Sequence, residues 1–422
     1  MNLEHIRVLL DADAMRDLLG AIPLLADGTA GLSALSLDRL WVKPGRHFHA
    51  SYRVTLATEA GPCEMRASAA LLRADREPAD FRPRALRGTR PPRPAGWDVD
   101  RATARVDSPP LQLALFPWDA RLPTLPLALD PARVEATLGS VRLRSCSVAG
   151  YWPGVRCQLR YERRDAPGAV YGKVFPDGAG GAIALAQEAV TRHAAETPFA
   201  MPRVRAYLPQ LNLLLTDPVE GEPLLDLLRT APTGELMARV ATALAAFHAL
   251  PRDTIERRFG PADDLAVVRS WVGLIGALFP RLASPLESAL AALERHVPPD
   301  GTATPALVHR DFYDKQVLVG PSRIGLLDLD TVCQGDGEID VGNFSAHLVL
   351  RAVQGGAGAE TAEPLAEALV AAYRAERPTA DPHRIGWYRG AALLRLACVY
   401  ALRPWWHALA PVLLDGSRQS LN

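Results

Sequence analysis

The chain has 422 residues, too many for one ordinary domain, so its length predicts two or three structural units. Hydrophobic residues make up 48% and charged residues 22% of the sequence, as is usual for a globular protein with a large apolar core. The formal net charge is +0, so no overall positive field would attract nucleic acid or an anionic membrane surface. We therefore expect neither as a partner.

Cysteine usage and the amino terminus predict where the protein works. The five cysteines are odd in number and form no C-x-x-C pair, which favours a reduced, cytoplasmic protein without a zinc site. Acidic residues interrupt the apolar pattern at the start of the chain, so it lacks the core of a signal peptide. The sequence contains no run of about 18 apolar residues, and we expect no membrane span. Scarce Lys beside abundant Ala, Arg, Leu and Pro is typical of a GC-rich bacterial genome.

Residues 1–130 predict an α/β, cap-like amino-terminal domain. Apolar periodicity predicts a helix over residues 5–20, and two strand-like runs follow at 37–56 and 63–72. Residues 74–110 are rich in Arg, Pro and Asp and have no apolar period, which predicts a long loop. The arginines of this loop either contact phosphate or are simply solvated, and solvation is the more common role of such a run.

After residue 130 the pattern predicts an α+β fold with two lobes. Residues 131–220 contain short strand-like runs and one helix, and they end in a buried strand with a Pro/Gly connection. This region predicts a small β-rich lobe together with the linker that leaves it. From residue 221 to 422 the pattern is mostly helical, although short strands flank residues 311–322.

A weak internal repeat relates the first two regions. The segments KPGRHFHASYRV and WPGVRCQLRYER both place Pro-Gly eight residues before a tyrosine, inside a strand-like run. The next hairpin turn contains Gly61 in one copy and Gly168 in the other, and Arg66 or Lys173 lies five residues later. Two interpretations remain open. The first copy is a degenerate duplicate of the second, or two unrelated hairpins use similar turn residues.

The segment HRDFYDKQ, His309 to Gln316, resembles the catalytic loop H-R-D-x-x-x-x-N of protein kinases. Phosphoryl transfer from ATP needs a carboxylate at the acceptor hydroxyl, oxygen ligands for Mg²⁺ and a cation on the phosphates. Asp311 is the candidate carboxylate. Gln316 and Asp328, which ends the following strand, are the candidate metal ligands.

A candidate cation and its partner precede this loop. Lys173, in the strand-like run AVYGKVF, would bind the phosphates, and Glu188 on the following helix would orient it through an ion pair. Each feature alone is common, because a strand lysine is usually exposed and an aspartate at a strand end usually forms a turn. The specific signal is their order: strand Lys, helix Glu, H-x-D-x-x-x-x-Q, strand and Asp.

With these motifs, residues 140–420 resemble the aminoglycoside phosphotransferase family, whose members have a two-lobed protein-kinase-like fold. LVHRDFYDKQVLV and GLLDLDTVCQGDGEIDVGNF are similar to the family pattern H-G-D-x-x-x-x-N…I-D-x…G-D-x-x-x-D-x-A. ALAAFHAL is similar to the helix ahead of the catalytic loop, and LLLTDPVEG to the linker between the lobes. The start at YWPGVRCQLRY resembles a bacterial subgroup that includes maltokinase-like enzymes.

The resemblance implies a role for each matching residue of the loop. Asp311 would be the catalytic base, and His309 would brace the loop around it. Gln316 and Asp328 would hold magnesium. Asp340 would be a buried carboxylate that holds the catalytic loop and does not react.

The resemblance also implies a nucleotide site and an acceptor. Lys173 and Glu188 would form the phosphate-anchoring pair, and backbone groups of Asp217 to Val219 would meet the adenine of ATP. The acceptor would be a hydroxyl of a small molecule such as an aminoglycoside, a sugar or another metabolite. The oligomeric state is not predicted.

Three features depart from the family pattern. Gln316 stands where the pattern has Asn, and it carries the amide oxygen on a side chain that is one methylene longer. The sequence has no G-x-G-x-x-G, so VAGYWPG at 148–154 is the candidate turn over the nucleotide. Glu196 competes with Glu188 for the ion pair, and the periodicity leaves both open.

Other features allow more than one interpretation. Asp314, Asp336 and Glu338 either bind a cationic acceptor or are solvated loop acids. The segment PWWHAL at 404–409 either stacks on a substrate or, more often for such pairs, packs in the core. Two alternative functions also remain, which are a kinase that modifies Ser or Thr of a peptide and a nucleotide-binding pseudokinase.

Overall fold

The structure is a computed structural model that describes residues 2–45, 47–72, 98–139, 141–176, 178–299, 301, 303–403 and 405–421. Its helices are α1 (Leu3–Leu10), α2 (Ala12–Leu19), α3 (Pro23–Ala26), α4 (Val99–Ala102), α5 (Leu125–Ala128), α6 (Pro131–Leu138), α7 (Gly180–Thr191), α8 (Leu224–Thr230), α9 (Gly234–His248), α10 (Pro261–Leu278), α11 (Pro280–Arg295), α12 (Glu338–Gln354), α13 (Glu363–Glu376), α14 (Pro382–Ala401) and α15 (Ala410–Gln419). Its strands are β1 (Gly31–Lys43), β2 (His47–Thr58), β3 (Gly61–Leu71), β4 (Thr103–Asp107), β5 (Pro110–Leu115), β6 (Leu143–Trp152), β7 (Arg156–Arg163), β8 (Ala169–Val174), β9 (Phe199–Ala200), β10 (Val204–Leu208), β11 (Leu213–Thr216), β12 (Glu222–Pro223), β13 (Arg258–Phe259), β14 (Pro305–Val308), β15 (Val317–Val319), β16 (Ile324–Leu326) and β17 (Cys333–Asp336).

The chain divides into two compact units. The first comprises Met1–Ala184 and Val204–Pro218, and the second comprises Leu185–Arg203 and Val219–Asn422. The first unit contains two five-stranded sheets, whereas α8–α15 and only short strands belong to the second. The predicted α+β class, with a β-rich part followed by a mostly helical part, is therefore confirmed.

Two predictions for the first 130 residues need correction. The single helix predicted over 5–20 is two helices, because Asp11 ends α1 and its side chain accepts hydrogen bonds from the first turn of α2. The loop predicted over 74–110 was wrong in its last part, where α4 and β4 occur. Its residues 74–97 lie outside the described part of the chain.

The two sheets of the first unit have the same topology. One sheet has the order β1-β2-β3-β5-β4, and the other has the order β6-β7-β8-β11-β10. Each therefore starts with a three-stranded antiparallel meander. Of the two remaining strands, the later one in the chain (β5 or β11) pairs with the meander, and the earlier one (β4 or β10) lies at the edge. A shared order of five strands goes beyond two similar hairpins and supports a duplication.

The repeated Pro-Gly and tyrosine residues occupy equivalent places in the two sheets. Gly45 and Gly154 of the first hairpin turns both have left-handed backbones, with φ of 71° and 67°. The fully buried Tyr52 hydroxyl donates to the carbonyl of Leu9 at 2.7 Å. The equally buried Tyr161 hydroxyl donates to the carbonyl of Ala128 at 2.6 Å. Each tyrosine thus ties its sheet to the helical segment that precedes it.

Strand register corrects one equivalence that sequence spacing predicts. Tyr52 pairs with Ala67, and Tyr161 pairs with Val170. Lys173 lies three residues after Val170, and Ala70 lies three residues after Ala67. Ala70 therefore occupies the position in the first sheet that Lys173 occupies in the second. Arg66 is therefore not the counterpart of Lys173, because the two meanders have different hairpin lengths.

The second unit presents the loop HRDFYDKQ between two small sheets. One sheet has the order β13-β17-β14 and the other β12-β15-β16-β9, and the loop connects β14 to β15. Behind them, α12 and α14 supply a core in which most residues are buried. Within the described residues, no helix has the length and apolar character needed to span a membrane.

Candidate active site

Asp340 fixes the backbone of the candidate catalytic loop. Its fully buried carboxylate accepts hydrogen bonds from the backbone N–H groups of His309 and Arg310, both at 2.6 Å. The His309 ring is also fully buried and donates from Nε2 to the carbonyl of Leu327 at 2.7 Å. Charge-assisted hydrogen bonds of this kind are strong where water is excluded. The expectation that Asp340 holds the loop is confirmed by these contacts.

The next residues of the loop bring the predicted carboxylates and amide together. Asp311 is half-buried directly after the fixed backbone of Arg310. Gln316 is 7% exposed, and its Nε2 lies 3.4 Å from Oδ2 of Asp328. Burial raises the pKa of Tyr313, and the negative charges of Asp311, Asp314 and Asp328 raise it further. The Tyr313 hydroxyl is thus in the field of both Asp311 and Asp328.

The Gln316 and Asp328 pair fits a magnesium ion by its donor chemistry. Mg²⁺ prefers oxygen ligands and is commonly held by one or two protein groups plus substrate phosphates. Rotation of the Gln316 amide would bring its oxygen to the side of the Asp328 carboxylate, because the amide nitrogen lies there now. Across the described residues there is no cluster of three or more His, Cys, Asp or Glu side chains suited to a metal. The two-ligand arrangement suits Mg²⁺ better than zinc.

The predicted nucleotide residues are spread over the two units. Lys173 lies on β8, with its ammonium 5.7 Å from the centroid of the Phe175 ring, and Asp217 pairs with Arg205 at 2.6 Å. Both belong to the first unit, whereas Glu188 and Val219 belong to the second. Pairing of Lys173 with Glu188 and contact of the linker with adenine remain predictions.

The bounds of α7 bear on the choice between the two glutamates. The helix ends at Thr191, so Glu196 lies beyond it while Glu188 lies within its last turn. Glu188 is exposed, whereas Gln187 beside it is buried and donates to the carbonyl of Pro202 at 2.7 Å. Glu188 thus faces away from the packed side of α7, where an ionic partner can reach it.

The three acids considered for a cationic acceptor are buried in internal contacts. Asp314 is 1% exposed and accepts two hydrogen bonds from Arg351, at 3.0 and 3.1 Å. Asp336 accepts from Arg384 and from the Tyr388 hydroxyl, at 2.5 and 2.9 Å.

The third acid, Glu338, is 5% exposed and accepts from the backbone N–H of Asp381 at 3.2 Å. Sequence reasoning did not find any of these partners, because they lie on α12 and at the start of α14, far along the chain. The interpretation of the three acids as solvated loop residues was wrong, since all three are buried.

The sequence did not predict the hydrogen bonds of His248, which lies at the end of α9. The Tyr373 hydroxyl and the Asp340 carboxylate lie 2.7 and 3.0 Å from its two ring nitrogens. A proton on Nε2 lets the ring donate to the Asp340 carboxylate, which can only accept when ionised. His248 thus links α9 and α13 to the carboxylate that holds the loop. The motif ALAAFHAL was the available signal.

The candidate turn over the nucleotide is fixed by residues of the first sheet region. Asp119 is 6% exposed, and one of its oxygens accepts from the Gly154 N–H at 2.7 Å and from the Tyr151 hydroxyl at 2.9 Å. The ring of His49 covers Gly154 so closely that a Cβ atom there would overlap it. The guanidinium groups of Arg39 and Arg156 lie 5.3 and 4.8 Å from the centroid of the Trp152 ring. The turn is therefore held by side chains, which a glycine-rich loop lacks.

The second tryptophan segment differs from the more common expectation of core packing. Trp405 is 70% exposed, and Trp406 is only partly buried. Nearby, the Arg403 guanidinium lies 4.3 Å from the centroid of the Tyr400 ring. Stacking on a substrate remains open for Trp405.

Comparison with solved structures gives several likenesses at low identity. The macrolide 2'-phosphotransferase MphH from Brachybacterium faecium is 20% identical, with coverage of 70% of this chain and 98% of that chain and a TM-score of 0.44. Choline kinase from Cryptosporidium parvum is 10% identical, with coverage of 69% and 92% and a TM-score of 0.49. The aminoglycoside phosphotransferase APH(3'')-Id from Streptomyces rimosus is 18% identical, with coverage of 65% and 98% and a TM-score of 0.41.

Comparison with family profiles is more informative. The profile described as the Phosphotransferase enzyme family matches residues 157–388, which is more than half of the chain. No curated protein matches the chain closely enough to count as a relative. The maltokinase-like subgroup stays a prediction. Because the matched range runs through the whole candidate site from Lys173 to Asp340, the chain belongs to this family of phosphotransferases, which act on hydroxyl groups.

Proposed function

We propose that the protein transfers the γ-phosphoryl group of ATP, with Mg²⁺, to a hydroxyl of a small molecule in the cytoplasm. The acceptor would be an aminoglycoside, a sugar or another hydroxylated metabolite. One observation carries the proposal. Gln316 contacts Asp328 at the end of the loop that contains Asp311, and Asp340 holds the start of this loop by two hydrogen bonds.

Asp311 would act as the general base. The acceptor hydroxyl would hydrogen-bond to its carboxylate, and the proton would pass to Asp311 as the oxygen attacks the γ-phosphorus. The bond between that phosphorus and the bridging oxygen breaks, so ADP leaves with the electron pair. His309 and Asp340 would contribute by holding the backbone that directly precedes Asp311.

Gln316 and Asp328 would hold the magnesium ion through their side-chain oxygens. The ion, when bound, offsets the negative charge of the phosphates. Lys173 would bind the phosphates, and Glu188 would orient it. Backbone groups between Asp217 and Val219 would receive the adenine, as the order of these residues along the chain supports.

A broad acceptor screen tests this proposal. Purified protein with Mg·ATP is incubated with panels of hydroxylated small molecules and of Ser/Thr peptides, and ADP formation is measured for each. We expect ADP formation above the no-acceptor background with at least one small molecule and with no peptide. Omission of Mg²⁺ should abolish it.

Two outcomes would contradict the proposal. Transfer to peptides alone would favour a kinase that modifies peptides. Binding of nucleotide in a thermal-shift assay, without transfer or slow ATP hydrolysis under any condition, would favour a pseudokinase.

An Asp328→Ala variant tests the metal site separately. If it still bound Mg·ATP as the wild type does, Asp328 would not be a metal ligand.

A further inference from the structure

One face of α12 contacts the candidate catalytic loop residue by residue. Its contact residues are three or four positions apart along the helix, so they lie on the same side of it. The contacts pair Asp340 with His309 and Arg310, Asn343 with Phe312, His347 with Tyr313, and Arg351 with Asp314. They thus follow the order of the loop, from the residues before Asp311 to those after it.

The last of these contacts is a buried ion pair. Nε of Arg351 donates to both carboxylate oxygens of Asp314, at 3.1 and 3.0 Å. The other end of the guanidinium is held as well, because Nη1 donates to Oε1 of Gln354 at 2.6 Å. The Asp314 side chain is 1% exposed and that of Arg351 is 16% exposed, so little water competes for the pair. The position of Asp314 is therefore set by α12.

This ion pair fixes the turn that carries the amide of the candidate metal site. Residues Asp314–Gln316 form one turn of 3-10 helix. The N–H of Gln316 donates to the carbonyl of Tyr313 at 2.8 Å, and its carbonyl accepts from the N–H of Leu327 at 2.8 Å. Tyr313 in turn stacks on His347 with ring centroids 4.3 Å apart. The backbone of Gln316 is thus held from both sides.

The backbone around Asp328 is held by the start of the same loop. The carbonyl of Leu327 accepts from Nε2 of His309 at 2.7 Å, and the Thr331 hydroxyl donates to the carbonyl of His309 at 2.8 Å. Asp328 itself has a φ of 63°, in the region that few residues other than glycine adopt. With both backbones fixed, the length of the side chain at position 316 decides whether the amide reaches the carboxylate.

The observed separation suits glutamine and excludes asparagine. Nε2 of Gln316 lies 3.4 Å from Oδ2 of Asp328. Asparagine is shorter by one C–C bond, so the same two groups would be about 5 Å apart on a fixed backbone. Two oxygen ligands of one Mg²⁺, each at about 2.1 Å, can be at most about 4.2 Å apart. On this backbone, only the longer side chain can share the ion with Asp328.

We propose that Arg351 is a positioning residue for metal binding, which through Asp314 fixes Gln316 at the distance from Asp328 that a glutamine side chain spans. The role rests on the proposed function, because it concerns the metal site of that reaction. It accounts for Gln at a place where the family pattern has Asn. Substitution of Gln316 by Asn would restore the pattern and yet weaken the site.

Calorimetric titration with ADP tests this role without any acceptor. The dissociation constant in EDTA divided by that in excess Mg²⁺ gives a metal ratio, which measures how strongly the protein retains the ion. We expect Gln316→Asn to lower the metal ratio on the order of tenfold or more, toward the value of Asp328→Ala. Arg351→Lys keeps the charge but not the planar guanidinium and should lower it in the same direction. Affinity for metal-free ADP should stay unchanged in both.

Two further variants separate positioning from a general loss of stability. Arg389→Lys is the matched control, because Arg389 is also a largely buried arginine paired with a carboxylate, but its partner Glu363 joins α14 to α13. Its metal ratio should equal that of the wild type. The double variant Gln316→Asn/Arg351→Lys should be no worse than Gln316→Asn alone, since Arg351 acts through Gln316.

Thermal unfolding identifies the variants that fold, and Asp314→Asn replaces Arg351→Lys if the latter does not. A wild-type metal ratio in Gln316→Asn would overturn the inference. A wild-type ratio in the folded variant of the ion pair, or additive losses in the double variant, would overturn it as well. If Mg²⁺ did not strengthen ADP binding to the wild type, the proposed metal site and function would fail instead.

Discussion

Arg310 occupies a backbone conformation that is unusual for its side chain. Its φ is 69°, in the left-handed region that glycine adopts without cost. The family pattern H-G-D has glycine at this place, so the chain keeps the conformation and replaces the residue. The backbone N–H groups of His309 and Arg310 donate to the Asp340 carboxylate and hold the loop there. A strained arginine beside the candidate base is consistent with a role in function.

Comparison of two variants isolates this strain. Both Arg310→Gly and Arg310→Ala remove the guanidinium and its contact with Phe259, but only alanine keeps a Cβ atom. We expect the glycine variant to be more stable by about 1 kcal/mol, measured by urea unfolding. Equal stability of the two variants would show that the loop backbone is not strained at this position.

Removal of the Asp340 carboxylate should be among the most damaging single changes in the second unit. Asp340→Ala leaves the N–H groups of His309 and Arg310 and one His248 nitrogen without their buried acceptor. We expect a loss of about 3 kcal/mol or more in the free energy of unfolding. Asp253→Ala, at an exposed position, is the control and should change it little. A small effect of Asp340→Ala would contradict the assigned structural role.

At the scale of elements, the two sheets of the first unit share one topology but differ at the position that Lys173 occupies in the second sheet. The second sheet has Lys173 where strand register gives the first sheet Ala70. The first sheet therefore has no cation at the position of Lys173, the residue proposed to bind phosphate. The turn at Gly154 is supported by His49 of β2 and by Asp119, which follows β5.

Asp119 provides a test of that support. Asp119→Ala removes the acceptor of the Gly154 N–H and of the Tyr151 hydroxyl, both of which are buried. We expect a loss of about 2 kcal/mol or more in stability. We also expect a higher KM for ATP, because the freed turn is the candidate cover of the nucleotide. Asp107→Ala, on exposed β4, serves as the control. Unchanged stability would show that the turn holds its shape without Asp119.

At the scale of the whole molecule, buried histidines should make stability depend on pH. Burial lowers the pKa of His49 from 6.5 to about 4, and the charge of Arg121 adds to the effect. The unfolded chain then binds a proton more readily than the folded one, so stability is full above pH 6.5 and falls toward pH 4. His49 alone should account for about 3 kcal/mol of this loss.

Urea unfolding of the wild type and of His49→Gln between those pH values checks this expectation. The variant should show a shallower decline in the free energy of unfolding as the pH falls. His347, whose pKa burial also lowers, leaves a residual slope in both proteins. An identical slope in wild type and variant would exclude His49 as a source of the pH dependence.

The sequence predicted those parts of the fold that depend on local signals. The hairpins were predictable because Pro-Gly turns and alternating strands lie within short segments, and the loop at Asp311 because its motif is contiguous. Strand β4 was placed in a loop and β5 was missed, since β5 pairs with β3 across a long, Arg/Pro-rich connection and β4 pairs in turn with β5. Tertiary pairing decided their conformation against composition.

Charge partners were the least predictable part of the candidate site. Asp314 pairs with Arg351 and Asp336 with Arg384, 37 and 48 residues further along the chain. No local pattern marks such pairs, so acids that look available in sequence are buried and neutralised in the fold.

Turnover of ATP by an Asp311→Asn variant tests the central claim most directly. The substitution keeps the shape of the side chain and removes its capacity to accept the hydroxyl proton. With the best acceptor of the screen, or with water as the acceptor, we predict that kcat falls on the order of 100-fold or more while the affinity for Mg·ATP is unchanged. Turnover equal to that of the wild type would contradict the assignment of Asp311 as the base and with it the proposed mechanism.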